Sequence, residues 1–249
     1  MNLLLVDLGN TRIKWATARG REKLRISGEH LTAKLTAAWI DSLVAKHPHH
    51  HLILASVVPK WNSAFARAFR GRATIVSGTL PALKPHFAYP KPAELGADRI
   101  AVAIAAQAEG LFPAIIIACG TATAYTVLDA KGRLCGGAIA PGLQAQLDAL
   151  LGATAQLSST TLRMPRSALA KSTRDAIRAG VLLNFQGGIK ETVARLSLEL
   201  PRGVKPHLLL TGGNAKLAAT ALEGKTMLRP LLVLEGLRIM GERLLRAAE

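Results

Sequence analysis

The chain has few aromatic residues: they make up only 4% of its 249 positions. Leu, Ile, Val and Ala must therefore fill the interior, and an aromatic platform for stacking single-stranded nucleic acid is not expected. Cysteine is equally sparse. Cys119 and Cys135 are the two present, and they form no Cys-x-x-Cys pair. That excludes a disulfide-stapled scaffold and argues against a structural zinc site. Two reduced thiols of a cytoplasmic protein are expected instead, and no base accompanies Cys119 in sequence to make it a nucleophile. No apolar run approaches the roughly 20 residues of a membrane span. The apolar start is interrupted by Asp7 and has no basic segment before it, so no secretory signal is expected. Acids are also scarce. Sixteen Asp and Glu stand against 32 Lys and Arg, a formal net charge of +16. The bases are dispersed rather than gathered in a block, which favours a general attraction for small anionic substrates, or simply a basic solvated surface, over a nucleic-acid track.

Hydrophobic residues supply 49% of the chain and charged residues 19%, the balance of a compact globular protein. Strands are expected over residues 3–8, 13–17, 51–57, 72–76, 114–118, 123–129, 134–139 and 207–210, with a further short strand between the second of these and the first helix. Helices are expected over 31–45, 59–69, 98–109, 173–199 and 232–247, with a further one after Pro141-Gly142. The proline-rich stretch 77–94 reads as an irregular crossing segment. Gly180, Gly187 and Gly188 inside the long helix suggest close packing or a kink. Helices alternating with strands in both halves indicate an α/β protein of two lobes, with mixed sheets flanked by helices, divided as residues 1–105 and 106–249.

Two short patterns carry the chemistry. An apolar strand enters Asp7-Leu8-Gly9-Asn10-Thr11, and a β-prone run from Ile13 leaves it. This is a hairpin whose turn can lie close to a ligand. Turn amides and hydroxyls can hold phosphate oxygens, and a carboxylate beside them can hold a hydrated divalent cation. A related element recurs at Cys119-Gly120-Thr121-Ala122-Thr123. Two such hairpins in one chain suggest an internal duplication. Two other patterns are set aside. Gly224-Lys225-Thr226 has Ala219 where a phosphate-binding P-loop requires glycine. The tract His47-Pro48-His49-His50-His51 lacks a carboxylate or cysteine partner at ligand spacing, which favours a polar surface turn over a metal site.

Gly96-Ala97-Asp98-Arg99, Gly136-Gly137-Ala138-Ile139-Ala140-Pro141-Gly142, Ser172-Thr173 and Thr211-Gly212-Gly213-Asn214 complete the set. In this order, and together with the two hairpins, they resemble the type III pantothenate kinases over nearly the whole chain. That family belongs with actin, the sugar kinases and the heat-shock ATPases. The resemblance implies two ribonuclease-H-like lobes, a homodimer, and transfer of phosphate from ATP to pantothenate with Mg2+ present. It implies that Asp98 is the catalytic proton acceptor, as an alcohol's attack on phosphorus requires. It implies an ATP site formed by Asp7, Leu8, Gly9, Asn10, Thr11, Arg12, Ile13, Lys14 and Thr121, with Asp7 acting through hydrated magnesium. It implies a pantothenate site formed by Tyr89, Gly96, Ala97, Asp98, Arg99 and Thr173. Arg99 suits a carboxylate, because its planar fork can bind both oxygens. One departure stands out: Ala118 occupies the position of an Asp that helps hold a monovalent cation, K+ or NH4+, in the family. Two other readings remain open, a nucleic-acid-binding transcriptional accessory on the same fold and a kinase for another small alcohol.

Overall fold

The computed structural model describes residues 2–20, 22–153, 161–165, 167–201 and 203–246, with the side chains of 84 and 85 set aside. The chain divides into two compact units. The first comprises Met1–Phe112, Leu128–Gly136 and Leu231–Glu249, and the second Pro113–Val127 and Gly137–Pro230. The sequence thus leaves the first unit and returns to it twice, so the units do not follow chain order alone.

In the first unit β1 (Asn2–Leu8) lies between β2 (Arg12–Arg19) and β4 (His51–Ser56). It is antiparallel to β2 and parallel to β4. β3 (Gly28–Leu31) and β5 (Ala73–Ile75) form the edges, giving the order β3-β2-β1-β4-β5. Alternation along β1 divides its side chains between two covers. Leu4, Val6 and Leu8 pack in one cluster with Ile40 and Leu43 of α1 (Ala37–Lys46) and with Phe65 of α2 (Asn62–Ala68). Leu3, on the opposite face, packs with Ile53 against Gly241 of α7 (Leu232–Arg246). A strand covered on both faces has no polar side, so β1 reads as a nearly continuous apolar run. The expected end of the last helix at Ala247 lies outside the described residues.

The second sheet contains β6 (Ala114–Cys119), β7 (Ala122–Leu128), β8 (Leu134–Pro141), β9 (His207–Thr211) and β10 (Thr226–Leu228). Its order is β10-β9-β6-β7-β8, with β9 parallel to both β6 and β10. Counted from β6, this is the order of the first sheet read from the other edge. The repeat suggested by two hairpins therefore extends to two whole sheets. Helices α4 (Leu143–Gly152), α5 (Thr173–Leu198) and α6 (Ala215–Ala219) accompany the second sheet. Among the described residues no helix is long and apolar enough to cross a membrane.

Three local expectations need correction. The helix expected from residue 31 begins at Ala37, where the Thr36 hydroxyl accepts from the Trp39 amide at 3.2 Å. Leu31 instead ends β3, paired with Arg12, and residues Thr32–Lys34 form a single 3-10 turn. Leu31 and Leu35 have helical spacing with α1, but strand pairing claims the first of them. Second, β8 runs to Pro141, two residues past the expected strand end at 139, and the helix then begins at Leu143, after Pro141-Gly142 as expected. Third, Gly180, Gly187 and Gly188 of α5 are not close-packing sites: a Cβ at any of them would meet nothing within 4 Å.

Close packing occurs instead where α3 (Ala97–Ala108) meets α7, since a Cβ on Gly236 would run into the backbone carbonyl of Ala101. Backbone cannot swing aside as a side chain can. Gly236→Ala is therefore expected to destabilise the protein by about 1–3 kcal/mol. Gly188→Ala, in an open helical position, should instead stabilise it slightly. Urea unfolding midpoints measure both, and equal midpoints for Gly236→Ala and the parent chain would contradict this account of the α3–α7 contact.

Candidate active site

The first hairpin turn is built from β1 and β2. Asp7 and Lys14 are cross-strand partners, and Leu8 with Ile13 closes the ladder. The Gly9 amide donates to the Arg12 carbonyl at 3.0 Å, and a Cβ on Gly9 would sit 3.0 Å from that same oxygen. Asn10, Thr11 and Arg12 are exposed. Thr32 pins the turn from outside: its hydroxyl donates to the Gly9 carbonyl at 2.7 Å and its amide to the Thr11 carbonyl at 3.0 Å. Thr32 is itself buried. It had no signal in the sequence, because its role depends on β3 folding back beside β2. Arg12 is held by Glu29 of β3 at 2.7 Å, a pair that is half exposed on both sides.

The 3-10 turn Pro92–Glu94 leads to Gly96, the N-cap of α3, so Asp98 lies in that helix's first turn. Its carboxylate accepts from the backbone amides of Arg99 and of Asp98 itself. Helix-start amides and an Arg99 charge all favour the ionised form, yet burial outweighs them and holds the Asp98 carboxyl above its usual range. The carboxylate folds back over Gly96, where a Cβ would lie 2.6 Å from its Oδ1. Gly96 has φ of −60° and ψ of 137°, which any residue can adopt. Its lack of a side chain is thus a matter of space for the carboxylate rather than of backbone freedom. Arg99 donates to the Gly136 carbonyl at 2.9 Å, and Tyr89 and Asp98 both lie within its electrostatic reach.

Asp7 lies within electrostatic reach of Asp98. The Asp7 carboxyl is pushed up to about 7, first by burial and then by Asp98, while Lys14 pulls it down. Two desolvated carboxylates sharing one neighbourhood, with one nearby ammonium, form a set of hard oxygen donors that a divalent cation would suit. The first unit thus brings together Asp7, Lys14, Tyr89, Asp98 and Arg99, five of the residues expected to matter, from β1, β2, the crossing segment and α3.

Two further expected residues, Thr121 and Thr173, belong to the second unit. Thr121 lies on the β6–β7 turn, where the Gly120 amide donates to the Ala122 carbonyl at 2.9 Å. The Gly142 amide donates to the Thr121 carbonyl at 3.0 Å, and a Cβ on Gly142 would strike the Gly120 and Thr121 carbonyls. From the other side Gly212, at φ +92°, lies against the Cys119 backbone. These two glycines explain the Pro141-Gly142 and Gly212-Gly213 motifs as close approaches to one turn. Thr173 is the first residue of α5, and the helix cap is Ser172, whose hydroxyl accepts from the Asp175 amide at 3.2 Å. Burial pushes the Cys119 thiol up to about 12, so it is inert at neutral pH.

A carboxyl raised in the folded chain contributes most when it is protonated, and that contribution is lost as pH rises through about 7. Asp7→Asn is therefore expected to raise the ligand-free melting temperature by about 2–6 °C at pH 8. The gain should shrink toward pH 4, where folded Asp7 is protonated and the unfolded group, with an ordinary value of 3.8, is itself partly protonated. A thermal melt series over pH 4–8 reads this, and an Asn variant less stable than the parent at pH 8 would contradict it.

Comparison with known proteins agrees with the layout. The family model for type III pantothenate kinase matches residues 3–195. A protein named type III pantothenate kinase from Methylacidiphilum infernorum is 34% identical, over 98% of this chain and 89% of its own length. Its namesakes from Roseiflexus sp. and Rhodospirillum rubrum are 35% and 33% identical, over 96% and 97% of this chain and 98% of their own lengths. Among solved structures, a Campylobacter jejuni protein described as a Baf family transcriptional activator shares the fold, with a TM-score of 0.63 at 18% identity and coverage of 98% and 100%. A ROK family glucokinase from Streptomyces griseus does so with a TM-score of 0.58 at 11% identity, again over 98% and 100%. The family model over residues 3–195 and relatives at a third identity over nearly the whole chain establish that the chain belongs to the type III pantothenate kinase family.

Proposed function

We propose that this protein transfers the γ-phosphoryl group of ATP to the terminal hydroxyl of pantothenate, yielding 4′-phosphopantothenate, the first step of coenzyme A biosynthesis. Family membership over nearly the full chain carries the reaction. The Asp7–Asp98 pair carries the assignment of roles.

Phosphoryl transfer asks little covalent chemistry of a protein; it asks for alignment and compensation of charge. Asp98 is the proposed general base. Its raised affinity for protons makes it a better acceptor at neutral pH than an exposed carboxylate. The helix-start amides that bind its oxygens hold it in one orientation. Gly96 and Ala97 leave room for that carboxylate and for substrate beside it. Arg99 and Tyr89 are proposed to receive the pantothenate carboxylate and its polar backbone, with Thr173 as a further contact. Asp7, Leu8, Gly9, Asn10, Thr11, Arg12, Ile13 and Lys14 are proposed to line the ATP phosphates, and Thr121 to contact the same nucleotide. Asp7 would hold Mg2+ through water, and the ion supplies charge compensation for the phosphates. A bound dication would also favour the ionised form of Asp7, relieving the repulsion with Asp98.

A monovalent cation does not fit in the same way. Ala118, half-buried in β6 between buried Ile117 and Cys119, pairs with Thr211 of β9 and offers no side-chain oxygen. We propose that K+ and NH4+ activate this protein weakly or not at all. A homodimer is proposed as the working assembly. Its support is the outward face of α5, where Gly180, Leu183, Gly187 and Leu198 are exposed on a helix with no side-chain obstacle at the glycines. A cytoplasmic location follows from the need for ATP. Nucleic acid is not proposed as a partner, since the few aromatics offer no base-stacking surface.

Three measurements test these assignments. Asp98→Asn should lower kcat by two or more orders of magnitude while circular dichroism and the melting curve stay near those of the parent. Unchanged turnover would remove Asp98 as the base. Gly96→Ala should cost roughly tenfold or more in kcat by displacing the carboxylate, again without unfolding. Replacing Na+ by K+ in a coupled assay with pantothenate and ATP should change the rate less than about threefold, and a tenfold rise would contradict the role given to Ala118. The same assay with other small alcohols separates pantothenate from a different acceptor.

A further inference from the structure

No Asp or Glu occurs between Asp41 and Glu94, a stretch that carries seven Lys or Arg and five His. The fold gathers part of this charge at one end of the first sheet. Strand register sets Arg19, the last residue of β2, opposite Asn2, the first of β1, and their side chains are bonded at 3.1 Å. Leu3 pairs with His51, so His50 and His51 enter β4 at the same level. Arg72 stands at the entry to β5, and its guanidinium donates to the His50 carbonyl at 2.8 Å and lies 5.9 Å over the Phe69 ring. The turn from α1 to β4 adds His47 and His49. The His47 and His50 rings meet edge to face with centroids 5.0 Å apart. His50 Nδ1 is buried and has no hydrogen-bond partner. His51 Nε2 is satisfied by the Thr74 hydroxyl at 2.9 Å.

The charged groups that face these imidazoles are all positive. His50 feels His47, Arg19, His49 and Arg72; His51 feels Arg72; His47 feels Lys46. Among the described residues no carboxylate acts on any of the three. Burial and these neighbours hold all three imidazoles below their usual protonation range, so at neutral pH they are uncharged and the arginines carry the field. A cluster of histidines commonly suggests a metal. Here the surrounding guanidinium and ammonium groups repel a dication, and the described residues contain no group of three or more metal-ligating side chains. The same surroundings attract an anion. Three permanent cations, Arg19, Lys46 and Arg72, act on these rings, a number that suits a short anion rather than a long polymer track.

We infer that the Arg19–His47–His50–Arg72 end of the first sheet is a binding site for a short polyphosphate chain, tightened by acidification. It lies at the opposite end of β1 from Asp7, roughly 17 Å along the strand. It is thus a second phosphate site, separate from the proposed catalytic one. An anion between the two arginines would favour protonation of the neighbouring imidazoles, and each proton taken up adds a hydrogen-bond donor and a charge. Binding and protonation then reinforce each other by linkage.

Inorganic tripolyphosphate is the probe, and titration calorimetry on the full chain is the measurement. Affinity should be at least tenfold tighter at pH 5.5 than at pH 7.5 and should fall with added salt. Binding heats should differ between buffers of unlike ionisation enthalpy, because protons are taken up. The His47→Gln, His50→Gln double variant should retain binding at pH 7.5 within a few fold and lose most of the tightening at pH 5.5, which also controls for the probe's own titration. Arg19→Gln should weaken binding at both pH values; this variant guards against the chance that Arg72→Gln disturbs the sheet through the lost His50 bond. Kinase activity should be unchanged in the His and Arg19 variants. Isotherms unaffected by all these substitutions would put the anion elsewhere and overturn the inference. So would micromolar Zn2+ binding that disappears in the double His variant, or a duplex DNA that binds this end more tightly than tripolyphosphate does.

Discussion

Two carboxylates that repel each other organise the first unit's candidate site. Asp7 closes a buried strand, Asp98 opens a helix, and burial keeps both from ionising freely. Such a pair is unfavourable in an empty protein unless a proton or a cation accompanies it. It persists because strong packing elsewhere holds the two elements. α3 lies so close to α7 that Gly236 has no space for a Cβ against Ala101, and α7 in turn packs on β1 and β4 through Gly241. The apolar contact of helix, helix and strand thus supplies the rigidity that sets the acid at position 98 near the acid at position 7.

The two sheets share one order of strands, and each has a short hairpin turn at the place where chemistry is expected. The supports of the two turns differ. The first is tied by a hydroxyl, Thr32 to Gly9, and the second by backbone approach, with Gly142 and Gly212 pressing on either side. Duplicated topology therefore does not mean duplicated detail. The same strand-turn-strand scaffold tolerates different ways of immobilising its turn, and a tight turn fixed from outside is what presents its groups to a ligand without further ordering cost.

Charge is segregated along the first sheet. The acids that the proposed reaction needs lie at one end of β1, beside a single cross-strand lysine. Imidazoles and arginines lie at the other end with no carboxylate acting on the histidines described there. The high net positive charge is thus not a uniform coat. Part of it forms a local field far from the chemistry, and that field decides against a cation despite four histidines in five residues.

Much of this protein was legible before any fold was known. The apolar runs at residues 3–8 and 114–118 read as strands, and Gly9 and Gly120 as turns, because these features depend on neighbours along the chain. The motif order was enough to mark Asp98 and Arg99. What the linear chain could not reveal were contacts that cross it. Thr32 supports the first turn only because β3 folds back beside β2, which also removes Leu31 from the helix its spacing suggests. The glycines of α5 resembled packing sites, yet face open space, while Gly236 does the close packing. Local geometry obeys local sequence, since turns, caps and strand alternation involve a few adjacent residues. The raised protonation of Asp7, the seat of Asp98 and the anion-attracting end of the first sheet arose only in three dimensions, because burial and electrostatic proximity are properties of residues distant in sequence.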